Sequence, residues 1–200
     1  MGWLYMRNCG EYGNARSYLD NQFTFARDGT QVTCLASALV GGKAYYAAVE
    51  QIDPGGRRTV TGIVCLVAFN PRAADGMTFG YKDMDESMGP CEADCPDDIL
   101  DLLTPTDREH ALNWRARCRA NNIARKAIGA RPTPRIGQTI IFDPPLDLSN
   151  GRTVARFTVI APHNGGRGLR YRAHEGGETV RIPNVKNRPY RIINPAITPA

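Results

Sequence analysis

The sequence predicts an α+β protein in which an antiparallel meander sheet packed with helices is followed by a small SH3-like β-barrel. Three observations predict this fold: four strand-like apolar runs joined by short turns, two helical patterns after them, and five short strand-like runs near the C-terminus. A segment rich in Gly and Pro separates the helices from the last strands. We therefore expect an α+β domain at residues 1–127, a linker at 128–136 and a small basic β-barrel domain at 137–200.

The first domain is predicted to start with a short strand. Residues 1–7 are apolar only briefly and lack the basic region of a signal peptide. Residues 14–25 carry apolar side chains at helical spacing, which predicts a helix before the main sheet. Gly41-Gly42 is a two-residue hairpin signal, and the unbroken apolar run at 63–67 is typical of a central strand. The four meander strands are predicted at residues 32–40, 43–52, 59–69 and 77–82.

Two helices are predicted between the sheet and the linker. Pro96 opens the first helix, with Asp97 and Asp98 in the first turn, where the helix dipole stabilises negative charge. Thr106 and Glu109 have the spacing of a capping box and open a second helix that runs to about residue 127. The strands of the barrel are predicted at residues 138–142, 153–160, 168–172, 179–182 and 190–193.

Charge is divided unevenly along the chain. Residues 1–114 contain 9 basic and 16 acidic side chains, whereas residues 115–200 contain 16 basic and 4 acidic ones. Such asymmetry predicts different partners for the two halves, or two halves that neutralise each other in a structural interaction module. The 6 cysteines are scattered singly, and no apolar run is long enough to cross a membrane. We expect reduced thiols and a cytoplasmic location.

An acidic segment lies between the sheet and the helices. Residues 82–101 contain eight carboxylates and one lysine, and so much like charge requires cations or helix N-termini nearby. Asp83, Asp85 and Glu86 are close enough in sequence to bind a divalent metal, or to perform acid–base catalysis as a hydrolase on a nucleic-acid or nucleotide-like substrate. Alternatively, the carboxylates cap helices and pair with Arg115 or Arg119. The chain lacks a P-loop, a G-x-G-x-x-G motif and zinc-ligand spacing, so we expect no other cofactor.

Two stretches carry a resemblance to known proteins. At residues 1–6 and at 80–90, Gly-Tyr-Lys-Asp-Met-Asp-Glu-Ser-Met-Gly-Pro, the chain resembles an uncharacterised family of phage, prophage and plasmid proteins. Cys95-Pro96 and Trp114-Arg115 are similar to later landmarks of that family, whose members often carry a small C-terminal β module. The resemblance covers roughly residues 1–120 and implies origin in a bacterial mobile element. Small accessory proteins of such elements commonly bind nucleic acid or counter host defences.

The basic half provides candidate nucleic-acid contacts. Arginine outnumbers lysine 14 to 2 after residue 114, and its planar guanidinium suits phosphate and base stacking. An arginine-rich solvated surface is the alternative interpretation. We expect a non-catalytic accessory protein that contacts nucleic acid or a host nucleoprotein complex, without a membrane. The predicted contacts are Arg115, Arg119, Lys126, Arg167, Arg170, Tyr171, Arg172, Arg188, Tyr190 and Arg191.

Overall fold

A computed structural model describes residues 2–162 and 168–193, and the chain divides into two compact units, Met1–Ala124 and Arg125–Ala200. The first unit contains a six-stranded antiparallel sheet with helices, and the second contains a five-stranded antiparallel sheet. This mixed architecture agrees with the predicted α+β class. The finer division at residues 127 and 137 stays a prediction.

The first sheet contains the predicted meander and a strand that the sequence analysis missed. Its strand order is β1-β6-β5-β4-β3-β2. The missed strand, β2, follows the first helix and pairs with β3 across Asp28-Gly29, where both residues have positive φ (51° and 75°). An Asp-Gly pair is a favoured two-residue hairpin turn. The strands are β1 (Leu4–Met6), β2 (Phe25–Arg27), β3 (Thr30–Val40), β4 (Ala44–Ile52), β5 (Arg58–Phe69) and β6 (Phe79–Asp85).

Three α-helices accompany this sheet: α1 (Ala15–Gln22), α2 (Asp97–Leu100) and α3 (Glu109–Ala130). The Asn14 side chain caps α1 by accepting from the Ser17 N–H at 2.9 Å. The predicted capping box at α3 does not form, because Thr106 Oγ1 accepts from the Arg108 N–H instead, at 3.2 Å. In the part of the chain described, no helix is both long and apolar enough to cross a membrane.

The central strands of the first sheet are buried on both faces, and β4 is one of them. All six residues from Ala44 to Val49 are buried, so this strand reads as a continuous apolar run. Tyr18 and Leu19 of α1 cover one face. Trp114 of α3 packs on the other face over Gly62, where a Cβ atom would lie 3.2 Å from the indole. A glycine at this position therefore permits close approach of the helix.

The second unit is an antiparallel sheet in the order β10-β9-β8-β7-β11. Its core contains Ile140, Phe142, Phe157, Val159 and Tyr171. Within the described residues β10 and β11 each have one strand neighbour, so the observed arrangement is an open sheet. The strands are β7 (Thr139–Asp147), β8 (Thr153–Ile160), β9 (Arg170–Ala173), β10 (Thr179–Val180) and β11 (Tyr190–Ile193).

The cysteines differ in exposure, which predicts a selective labelling pattern. All six are free thiols; Cys91 is exposed, whereas Cys65 and Cys95 are fully buried. Burial raises the pKa of the Cys65 and Cys95 thiols, so few thiolates form at neutral pH. We expect a maleimide to modify Cys91 first in the native protein and all six thiols after denaturation. Peptide mass spectrometry checks this order, and native labelling of Cys95 as fast as that of Cys91 would contradict it.

Candidate nucleic-acid interface

Glu86, the third residue of the predicted carboxylate set, is buried inside the first unit. It opens a short 3₁₀ helix at Glu86–Met88 and is 4% exposed. Arg115 donates from Nε to Oε2 at 2.5 Å and from Nη2 to Oε1 at 2.7 Å. The Gly62 N–H also donates to Oε1, at 3.2 Å. Both carboxylate oxygens are therefore engaged within the protein, in the bidentate geometry that a buried ion pair requires.

Asp83 and Asp85 have different surroundings from Glu86. They occupy alternate positions of β6 and so share one face of the sheet, as the strand pattern predicts. Asp85 Oδ1 accepts from the Ser87 N–H at 2.7 Å and from the Ser87 hydroxyl. Asp83 lies opposite Cys65 of β5. The pKa of the Cys65 thiol is raised mainly by burial of the thiol and secondly by the negative charge of Asp83. Within the described residues no three His, Cys, Asp or Glu side chains form a group able to hold a metal, so these carboxylates are not assembled into one ligand set.

The rest of the acidic segment lies against α3. Arg119 donates from Nη2 to Asp101 at 2.8 Å and lies 3.7 Å from Asp97. The Asn122 amide also donates to Asp97, at 2.7 Å. This arrangement is the predicted alternative in which the carboxylates pair with Arg115 or Arg119.

Polar side chains of α3 also bind backbone carbonyls of the acidic segment. Four such bonds are Arg117 to Cys91 at 2.6 Å, Trp114 to Glu92 at 2.8 Å, Asn121 to Ala93 at 2.9 Å and Asn122 to Cys95 at 2.9 Å. The Arg115 side chain is 16% exposed and already binds Glu86 and the Thr104 carbonyl, which leaves little of it available for the predicted nucleic-acid contact. Arg119 is 48% exposed but already has two carboxylate partners, and Lys126 is exposed on the same helix.

Four arginines occupy one side of the second sheet, which we call the arginine face: Arg156, Arg170, Arg172 and Arg191. Arg170 is half-buried and the other three are exposed. Alternate residues of the same strands point into the core, so the arginines point away from it. Their cross-strand neighbours are uncharged: Thr158 beside Arg172, Ile160 beside Arg170, and Ile141 between Arg156 and Arg191.

The arginine face carries little compensating negative charge. Over residues 2–162 and 168–193, none of its four guanidinium groups forms an ion pair or a side-chain hydrogen bond. Two acids of this unit are engaged elsewhere: Glu178 pairs with Arg152 at 2.8 Å, and Asp147 accepts from the Thr153 hydroxyl at 2.6 Å. Unpaired cations on a shared surface produce a positive potential that attracts polyanions.

The structure changes the predicted roles of the two tyrosines. Tyr171 is 2% exposed in the core, and burial raises the pKa of its phenol. Its ring therefore presents no face to a base, which corrects its predicted stacking role. Tyr190 packs edge-on against Phe142 and donates its hydroxyl to the Pro132 carbonyl at 2.7 Å. Its hydroxyl is thus also committed within the unit.

Two predicted contacts remain, Arg188 and Arg167. Arg188 is exposed and follows a short 3₁₀ helix at Val185–Asn187. Arg167 falls outside the described residues. The predicted set omits Arg156, although the alternation of side chains along a strand could have identified it. Phe157 and Val159 of β8 point into the core, so the neighbouring Arg156 points away from it.

The comparisons with known proteins add one similarity. A family model described as a domain of unknown function (DUF6927) matches residues 105–185. The match includes α3 and three residues of the arginine face, and it leaves out the acidic segment at 82–101. The chain is thus similar over this range to an uncharacterised domain. No curated protein and no solved structure matches the chain.

Proposed function

We propose that this protein is a non-catalytic accessory protein that binds the phosphate backbone of nucleic acid through the arginine face. The observation that supports the proposal is the presence of four guanidinium groups on one side of a sheet, with no carboxylate partner among the described residues. Guanidinium groups form charge-assisted, often bidentate hydrogen bonds with phosphate. The carboxylates of the acidic segment are less suited to catalysis, because Glu86 and Asp85 already accept hydrogen bonds within the protein.

The chemistry of the arginine face favours backbone binding over base recognition. The cross-strand neighbours at its paired positions are Ile and Thr, and the His174 ring beside them is engaged with the Thr158 hydroxyl through Nε2 at 2.8 Å. Stacking on aromatic side chains is a main source of single-strand and RNA affinity. We therefore expect binding that depends strongly on salt and weakly on sequence.

The proposal extends to the fold and the origin of the protein. In an SH3-like barrel the first strand lies between the second and the last, and β7 lies between β8 and β11 in the same way. The segment at 80–90 supports origin in a phage or another bacterial mobile element, with the cytoplasm as the site of action. In that setting a host nucleoprotein complex of the defence machinery is the proposed partner alongside nucleic acid.

Fluorescence anisotropy of the full chain tests the proposed function. The probes are single- and double-stranded DNA and RNA at several salt concentrations, and the variant carries Arg156→Ala, Arg170→Ala, Arg172→Ala and Arg191→Ala. If each arginine neutralises one phosphate, the slope of log K against log salt decreases by about 3 in the variant. Binding at low salt is expected to weaken at least tenfold.

A control variant with the same loss of charge distinguishes binding by the arginine face from binding that depends only on net charge. Four exposed arginines elsewhere, Arg7, Arg27, Arg72 and Arg135, are replaced with alanine. This control is expected to retain most of the affinity and the salt slope. Equal losses in the two variants, or no binding by the natural chain at low salt, would overturn the proposal.

A further inference from the structure

A cleft in the first unit lies where β5 continues past the end of β6. The ladder between the two strands ends at Ile63 and Asp85, so residues 58–62 have no strand neighbour on that side among the described residues. The segment at 104–108 and the start of α3 close the far side of a cavity of about 570 Å³. Sites for small molecules commonly have volumes of about 300–1,000 Å³.

The floor of the cleft is fixed by internal hydrogen bonds. The Val60 N–H donates to Thr104 Oγ1 at 2.8 Å, and the Thr104 N–H donates back to the Val60 carbonyl at 3.0 Å. Arg115 donates to the Thr104 carbonyl at 2.9 Å while it pairs with Glu86. The floor is therefore a hydrogen-bonded polar network that joins β5, the 3₁₀ helix at Glu86–Met88, the segment at 104–108 and α3, which holds the walls in position.

The rim of the cleft carries unengaged cations. Arg57 and Arg108 are exposed, and neither side chain forms an ion pair or hydrogen bond with the part of the chain that is described. Both also line an adjoining cavity of about 430 Å³ on the other side of β5, together with Thr59 and Thr61. Two arginines and two threonines thus line both cavities.

The carboxylates that border these cavities are mostly engaged within the protein. Glu86 pairs with Arg115, and Asp85 accepts from Ser87. Asp53 accepts from two backbone N–H groups of its own turn, at 3.0 and 2.8 Å. Asp107 is exposed and, among described residues, has no side-chain partner. The donors at the rim therefore exceed the acceptors that compete for them.

We infer that this cleft binds a small molecule through a terminal phosphate group. Arg57 and Arg108 donate to the phosphate oxygens, and the hydroxyls of Thr59 and Thr61 supply neutral donors. The cavity accommodates the rest of a ligand about the size of a mononucleotide. This site belongs to the first unit, whereas the arginine face belongs to the second, and the inference does not depend on the proposed function.

Titration calorimetry tests the inference on the full chain with the four substitutions of the arginine face, so that this face does not contribute. The probes are inorganic phosphate, adenosine 5′-monophosphate and adenosine. We expect the monophosphate to bind and adenosine to bind at least tenfold more weakly. Arg57→Ala and Arg108→Ala are each expected to weaken binding roughly tenfold, the loss of one charge-assisted interaction.

Two further variants make the test specific. Asp107→Asn removes the unengaged carboxylate, so we expect tighter phosphate binding, whereas Arg72→Ala removes an exposed arginine elsewhere and leaves affinity unchanged. No binding of any phosphate probe, or equal affinity in Arg57→Ala, Arg108→Ala and Arg72→Ala, would overturn the inference. Binding of a 5′-phosphorylated oligonucleotide without binding of the monophosphate would overturn the small-molecule assignment.

Discussion

Replacing Arg115 with alanine is expected to lower the free energy of unfolding by about 3–5 kcal/mol, because the buried carboxylate of Glu86 would lose its counter-charge. The Glu86 side chain is 5% exposed and that of Arg115 16%, so water compensates little for a missing partner. Arg115 also donates to the carbonyl of Thr104, a residue that is hydrogen-bonded to Val60 of β5. The substitution therefore removes a charge pair and a tertiary hydrogen bond together.

Urea unfolding of paired variants measures this effect. Arg117→Ala is the matched control on the same helix: Arg117 is exposed and donates one hydrogen bond to the Cys91 carbonyl, so we expect a loss of about 1 kcal/mol or less. Adding Glu86→Gln to Arg115→Ala is expected to recover part of the loss, since the amide oxygen still accepts from the Gly62 N–H without a charge. Equal stabilities of Arg115→Ala and Arg117→Ala would contradict the burial argument.

The meander was predictable because its information is local. Alternation and turn residues determine β3 to β6, and the predicted and observed bounds agree closely. The Asp28-Gly29 pair is also a local signal, for the hairpin between β2 and β3. The prediction missed β2 because the helix was extended to residue 25, where β2 begins. The C-terminal end of α3 was placed too early, at about residue 127, because the Gly-containing segment at 128–130 was assigned to the linker, although a single glycine costs a helix only about 1 kcal/mol.

The role of the acidic segment was not predictable in the same way. Charge density indicated that cations lie nearby, but Glu86 and Arg115 are separated by 29 residues. Which carboxylate meets which arginine depends on how α3 docks on the sheet, and local sequence does not encode that docking. Both interpretations of the segment were therefore consistent with the sequence.

The error on Tyr171 has a simpler cause, because alternation itself predicts the correct orientation. Tyr171 lies between Arg170 and Arg172 in β9, and successive side chains of a strand point to opposite faces. If the two arginines face outward, the tyrosine between them faces inward. The prediction placed Tyr171 with its neighbouring arginines because they are adjacent in sequence, and so ignored this constraint. Taking every second residue of each strand instead identifies the arginine face.

Replacing Trp114 with alanine is expected to cost about 3–5 kcal/mol of stability, the usual range for a large aromatic residue in a core. Trp114 is 1% exposed, its ring centroid lies 6.5 Å from that of Tyr46, and it covers Gly62. Because Gly62 has no side chain, nothing on β5 at this position can expand to fill the space. The cavity is therefore expected to remain largely open, which places the cost in the upper part of the range.

The same substitution is expected to loosen the acidic segment, since Trp114 Nε1 donates to the Glu92 carbonyl at 2.8 Å. Hydrogen exchange at residues 91–101 should accelerate more than exchange in β7 to β11, which belong to the other unit. Leu112→Ala is the control, because Leu112 lies on the same helix and is 48% exposed; we expect a change near 0.5 kcal/mol. Far-ultraviolet circular dichroism follows unfolding, since the substitution removes one of the 2 tryptophans and alters the fluorescence signal. A Trp114→Ala protein as stable as Leu112→Ala, with unchanged exchange at 91–101, would show that neither the core nor the segment depends on the indole.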